Sequence, residues 1–252
     1  MDYYIGDVVT DPVDDPKLYF ETLMRFEQHS FACLQPIENA PNVGPLPAQT
    51  NKRITFGSLL DMAKINEPVL DLWAQLVRET PKAHLYIFRS TLHGETGERL
   101  KCMLLERLDE KQFTIEHEVD PKAGWLSVYN RIDVALDTFP WSGHTTACEA
   151  VWMGVPVLTV RGDRHASRMV ASVMTTLGLA DDFVAADHRR FVAKGKALAG
   201  RFDFLADLRA DLRQRAIDSP LCDAAGFGRE MAKMYRTMWR TWCAGTSPVK
   251  SM

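Results

Sequence analysis

The sequence predicts an α/β fold built on a doubly wound parallel sheet. From Lys52 onward, short apolar runs alternate with amphipathic stretches. Strands separated by helices of roughly ten to fifteen residues mean βαβ units. The segment 132–160 reads as buried strand, loop, helix and buried strand in direct succession. The chain has 252 residues, 46 % hydrophobic and 25 % charged, which suits a soluble globular protein with a full core.

The elements follow in order. Residues 1–15 hold acids and turn formers. Leu18, Tyr19, Leu23 and Phe26 then fall at helical spacing and predict a helix. Residues 35–51 carry four prolines and little periodicity, as a linker or crossing segment does. ITFG (54–57) predicts the first strand of the main sheet. Pro68 to Glu79 predicts a helix with Leu70, Trp73, Leu76 and Val77 on one face. HLYIFR (84–89) is a strand, Glu95 to Leu108 a helix, FTIEHEV (113–119) a strand and Gly124 to Asn130 a short helix. DVALD (133–137) is a buried strand, His144 to Met153 a helix and VPVLTV (155–160) the next strand. Arg164 to Leu177 is helical and DFVA (182–185) a short strand. Long helices fill 188–214 and 226–243. In the last, Met231, Met234, Tyr235, Met238, Trp239 and Trp242 form one apolar face, expected to pack in the core, with docking against another lobe or subunit as the alternative.

Charge and composition exclude several classes. Lys+Arg number 30 against 33 Asp+Glu, a net charge of −3, without the basic excess of a nucleic-acid binder. The acidic start MDYYIGDVVTDPVDDPK is unlike a signal peptide. The apolar stretch Val151–Val160 is interrupted by Gly154 and Pro156, far short of the roughly 20 residues of a membrane span. Cys33, Cys102, Cys148, Cys222 and Cys243 are widely spaced, so reduced thiols and a cytoplasmic location are expected.

Ligands of such sheets sit beyond the carboxyl ends of the strands. There the segment 132–160 runs through Pro140 and Gly143 into a helix opening on His144-Thr145-Thr146. Free backbone N–H groups, hydroxyl donors and the helix dipole favour phosphate at such a start. Thr145 acting only as a helix cap, beside an exposed loop histidine, fits the same pattern. Glu149, one turn on, could accept hydrogen bonds from a sugar diol. Lys64 follows the first main-sheet strand and Lys122 follows a later one. Each suits a diphosphate as a point charge, and each could equally be a solvated surface lysine. GDRHASR (162–168) either touches phosphate or caps a helix through Ser167. Walker, dinucleotide-fingerprint, nucleophile-elbow and zincin motifs are absent. No metal ligand set is indicated.

With these residues in hand, the chain resembles the carboxyl-terminal catalytic lobe of glycosyltransferase family 41, the protein O-GlcNAc transferases. The closer likeness is to bacterial members that follow tetratricopeptide repeats. The resemblance rests on ITFGS…AKI (54–65), YNRIDVALDTFPWSGHTTACEAVWMGVPVLT (129–159), GDRHASR (162–168), SPLCD (219–223) and FGREMAKMYRTMW (227–239). It implies the Rossmann-like carboxyl lobe of a two-lobed, B-type enzyme. That lobe binds a UDP-sugar and passes GlcNAc, or a related sugar, to Ser/Thr hydroxyls of proteins with inversion. It implies that Lys64 and His144, Thr145 and Thr146 hold the diphosphate, that Glu149 faces the ribose, and that Val119, Asp120 and Lys122 lie beside the uridine. No cofactor or metal is implied, and the terminal helix would cross to the other lobe.

Residues 1–51 resemble the end of the amino-terminal lobe and the interlobe linker, and 52–252 the donor lobe. The family's amino-lobe histidines, including the proposed base, have no counterpart here. The chain is therefore expected to be a fragment or truncated product with little transfer activity alone, completed by a separate amino-terminal lobe or repeat polypeptide. Trp125 stands where many relatives carry histidine, and Asp61 where an amide is usual. An added carboxylate near a diphosphate repels it. Both changes favour the alternative reading, a non-catalytic nucleotide-sugar-binding module or degenerate relic.

Overall fold

The computed structural model describes residues 2–12 and 19–245. Six parallel strands form the main sheet: β3 (Thr55–Ser58), β4 (His84–Phe88), β5 (Phe113–Glu116), β6 (Val134–Leu136), β7 (Val157–Val160) and β8 (Val184–Ala185). Their spatial order is β5-β4-β3-β6-β7-β8. Counted from β3, this is the 3-2-1-4-5-6 order of the doubly wound dinucleotide-binding sheet. Every described pairing within it is parallel. The chain reverses its winding between β3 and β6, so a crevice opens beyond their carboxyl ends.

The helices follow from their apolar faces. In α2 (Glu67–Glu79), Leu70, Trp73, Leu76 and Val77 are all buried, and the Asn66 carboxamide caps the helix by accepting from Val69 N. In α4 (Thr145–Trp152), Ala147, Cys148, Ala150 and Val151 are buried. Gly154 ends that helix with φ +73°, where an added Cβ would lie 2.6 Å from the Arg209 carbonyl oxygen. The chain then turns directly into β7. The remaining helices are α1 (Pro47–Asn51), α3 (Glu95–Leu105), α5 (Met169–Thr176), α6 (Ala180–Phe183), α7 (His188–Leu198), α8 (Phe202–Ile217) and α9 (Ala224–Cys243). Arg209 of α8 is buried and donates to the carbonyls of Gly44, Tyr129 and Ile132, which pins the proline-rich segment to the sheet. Asp133 accepts from the N–H groups of Ala48 and Thr55 and fastens α1 to β3.

Three expectations need correction. The helix expected around Leu18–Phe26 is β2 (Thr22–Phe26), paired in parallel with β1 (Tyr3–Asp7), and Leu18 lies outside the described residues. Pairing with β1 supplies hydrogen bonds that local periodicity does not reveal. The helix expected over 188–214 is two, α7 and α8, separated at Ala199–Arg201. In α9 only Gly226 and Met234 are buried, while Tyr235, Trp239 and Trp242 are 58 %, 65 % and 72 % exposed. Its apolar face is real, but among the described residues Tyr235, Trp239 and Trp242 are not covered.

The first two strands attach through buried polar groups. The Asp7 carboxylate accepts from Phe31 N at 2.7 Å and from Ser172 Oγ of α5 at 2.6 Å. Phe26 stacks on Phe227 of α9 at 4.4 Å between ring centroids. No helix among the described residues is long and apolar enough to cross a membrane.

Candidate active site

The crevice at the switch point is built by two loops. The first, after β3, ends in a 3₁₀ turn at Met62–Lys64 capped by Asp61, whose carboxylate accepts from Ala63 N at 2.9 Å. The second, 137–144, joins β6 to α4. Lys64 Nζ links them by donating to the Ser142 carbonyl at 2.9 Å. Its ammonium also lies over the exposed Trp141 ring, 4.6 Å from the centroid. Burial draws Lys64 below the usual lysine value, against the pull of Asp137 and Asp61.

Asp137 organises the second loop. Its buried carboxylate accepts from Ser142 Oγ (2.6 Å), Gly143 N (2.7 Å) and Thr159 Oγ1 of β7 (2.6 Å). Asn66 Nδ2 donates to the Phe139 carbonyl and Trp73 Nε1 to that of Asp137, so the cap and core of α2 hold the same loop. Burial pushes the Asp137 carboxyl up, and its hydrogen bonds work against that.

This scaffold aims the start of α4 into the crevice. The backbone N–H groups and hydroxyls of Thr145 and Thr146 make no hydrogen bond among the described residues. His144 is half-buried beside Phe31, with 6.2 Å between ring centroids. Burial, then the nearby charges of Lys64 and His165, hold its ring below the usual histidine range, which favours the neutral form. Tyr129 donates to the Thr146 carbonyl at 3.0 Å, and Trp125 lies 6.3 Å from the Tyr129 ring. A narrow cleft beneath α4 is lined by Ser58, Leu60, Tyr129, Gly143 and Thr146.

Glu149 is half-buried, and its carboxylate has no hydrogen bond among the described residues. Burial pushes it up to about 7, with Arg89 pulling the other way. A carboxylate left without donors beside a cleft is free to accept from a ligand.

The structure thus brings together Lys64, His144, Thr145, Thr146 and Glu149, with Trp125 at the margin. Val119, Asp120 and Lys122 occupy the loop after β5. Val119 packs at the edge of the core, while Asp120 and Lys122 are exposed. Asp120 accepts from Lys122 N at 2.9 Å, and among the described residues no hydrogen bond or ion pair joins this turn to Lys64 or α4. The Asp61 carboxylate is turned toward Arg89, 3.7 Å away. GDRHASR lies between the amino-terminal segment and the site loop: His165 Nδ1 lies 2.7 Å from Asp11 Oδ2, Arg168 donates to the Thr10 carbonyl, and the Ala166 carbonyl accepts from Ser142 N at 2.9 Å. Ser167 closes its own turn on Arg164.

Sequence reasoning missed Asp137, Trp141, Ser142 and Arg89. An acid ending the apolar run of β6 and a base directly after β4 were the available signals. Among the described residues, no group of three His, Cys, Asp or Glu side chains could hold a metal ion.

An open sheet of this order, with a lysine and an unsatisfied helix start at its switch point, is the Rossmann-like lobe of the two-lobed glycosyltransferases. The sequence matches Glycosyl transferase family 41 over residues 46–231, and the chain belongs to that family. It is 34 % identical over 250 residues to the probable UDP-N-acetylglucosamine–peptide N-acetylglucosaminyltransferase SPINDLY of Solanum lycopersicum, covering 98 % of this chain and 27 % of that protein. It is 28 % identical over 192 residues to the UDP-N-acetylglucosamine–peptide N-acetylglucosaminyltransferase of Caenorhabditis elegans, covering 76 % of this chain and 16 % of that one. Among solved structures, a mutant O-GlcNAc transferase of Thermobaculum terrenum superposes with a TM-score of 0.86 at 33 % identity, over 97 % of this chain and 46 % of that one. Sucrose-phosphate synthase of Thermosynechococcus elongatus shares the fold, with a TM-score of 0.57 at 15 % identity, over 95 % of this chain and 59 % of that one. The chain spans about a quarter of the length of the curated relatives it matches.

Proposed function

We propose that this chain is the donor-binding lobe of an enzyme that transfers GlcNAc, or a related sugar, from a UDP-sugar to Ser or Thr hydroxyls of proteins. The observation that carries this is the convergence of Lys64 with the free donors of Thr145 and Thr146 at the β3–β6 switch point. A departing UDP gathers negative charge on its diphosphate. Donors fixed before the reaction stabilise that charge without reorganising. Lys64 supplies the formal positive charge and the start of α4 the partial one, so the reading needs no metal or cofactor. Neutral His144 can donate one hydrogen bond to the same phosphates. Glu149 accepts from the ribose hydroxyls, and the Val119–Lys122 turn lies beside the uracil. Lys64 is the catalytic group of this lobe, acting on the leaving group.

The acceptor-activating base and the protein-binding surface belong to the longer polypeptide of the relatives, whether joined to this chain or separate from it. The exposed face of α9 suits that junction.

The test is calorimetric titration of the chain with UDP and UDP-GlcNAc without added metal. Micromolar binding of both, lost in Lys64→Ala, supports the reading. A folded chain that binds neither overturns it.

A further inference from the structure

Arg89 directly follows β4, and its backbone N–H donates to the Glu116 carbonyl at the end of β5. Its guanidinium reaches the other way, across the sheet edge. One nitrogen donates to the Leu59 carbonyl at 3.1 Å, and another lies 3.7 Å from Asp61 Oδ2. It therefore grips the loop that carries Lys64. Asp61 cannot simply turn away, because its other oxygen caps the Met62–Lys64 turn. Its own carbonyl accepts from Lys64 N at 3.0 Å. A carboxylate is thus fixed one turn from the lysine assigned to a diphosphate.

We propose that Arg89 is a positioning residue of the donor site, which neutralises Asp61 and so lets a nucleoside diphosphate approach Lys64. The proposal rests on the donor-site reading above. With side chains 36 % and 52 % exposed, the Arg89–Asp61 pair contributes little to folding in the unliganded chain. Its effect appears when a diphosphate displaces water and brings further negative charge beside Asp61. Lysine is a poor replacement, because a point charge cannot hold the Leu59 carbonyl and the Asp61 carboxylate in one fixed fork.

The test is a mutant cycle read by UDP and uridine titration. Arg89→Gln weakens UDP by about tenfold, the scale of unit charges several ångströms apart at a partly solvated site. Uridine, which carries no charge, binds the variant as it binds the parent. Arg89→Lys recovers only part of the loss. Asp61→Asn binds UDP at least as well as the parent, and adding Arg89→Gln to it costs nothing further. If the double variant is as weak as Arg89→Gln alone, or uridine is lost in parallel, Arg89 acts through loop folding and the proposal is overturned. If the parent binds no UDP, the donor-site reading falls first and this assignment falls with it.

Discussion

Replacing Glu149 with glutamine separates what this carboxylate costs the fold from what it offers a ligand. Its ordinary value is 4.5, and burial pushes it up to about 7. At about 1.4 kcal/mol for each pH unit between those values, carrying the charge in the folded state costs about 3 kcal/mol in full. Partial contact with water reduces that to about 1–2 kcal/mol. Below pH 4.5 both folded and unfolded chains hold the proton, and there is no cost. Between 4.5 and 7 the folded chain keeps a proton that the unfolded chain has lost, so stability falls as pH rises. Above 7 both are ionised and the full cost remains. Glu149→Gln keeps the shape without the charge. It should be more stable than the parent by about 1–2 kcal/mol at pH 8 and nearly equal at pH 5. Urea unfolding at pH 5, 6.5 and 8, with unchanged m-values, measures this. A stability difference that does not vary with pH, or a loss at pH 8, refutes the reasoning. The same variant should bind UDP more weakly at pH 8, a gain in stability at the expense of function.

Further outcomes are expected. Lys64→Ala should weaken UDP binding by about 10- to 100-fold, the scale of a charge-assisted hydrogen bond, and Lys64→Arg should restore part of it; equal affinities by calorimetry would remove Lys64 from the site. Asp137→Asn keeps an oxygen for Gly143 N but turns an amide N–H toward the hydroxyls of Ser142 and Thr159, and should cost about 2–3 kcal/mol by denaturant unfolding, with looser loop amides in hydrogen exchange. An unchanged midpoint would show that another group organises the loop. Trp239→Gln with Trp242→Gln should change stability by less than about 0.5 kcal/mol while reducing dye binding and self-association, because both rings face solvent. A large loss of stability would place them against a core.

The main sheet was legible because each strand is a short apolar run followed by an amphipathic helix. The face of α2 and the start of α4 were read within a residue or so of their observed positions. The failures have physical causes. β2 carries apolar residues at a spacing that also suits a helix, and only its pairing with β1 decides the conformation. The stripe on α9 is legible as apolar without naming what it packs against, and among the described residues Tyr235, Trp239 and Trp242 stay exposed. At the candidate site, Lys64 and Thr145–Thr146 could be placed beside the switch point because that position follows from sheet topology. Asp137 and Arg89 could not, because their importance lies in three-dimensional partners: a loop hydroxyl, a neighbouring strand's threonine and a carboxylate from another crossover. Asp61 reads in the sequence as a repulsive charge that Lys64 could offset, whereas the fold gives it a capping role and Arg89 as a further cation.

The bond between Lys64 and the Ser142 carbonyl has a consequence for how quickly and how rigidly a ligand is received. A lysine on an open surface samples many rotamers, and gathering it onto a ligand sacrifices about 2 kcal/mol of side-chain entropy. Here that freedom is already surrendered when the chain folds, since the ammonium rests between a carbonyl and the Trp141 ring. An arriving phosphate exchanges one acceptor for a better one and gathers nothing. The unliganded lobe already holds this ammonium in place, where the proposed diphosphate would gather its charge.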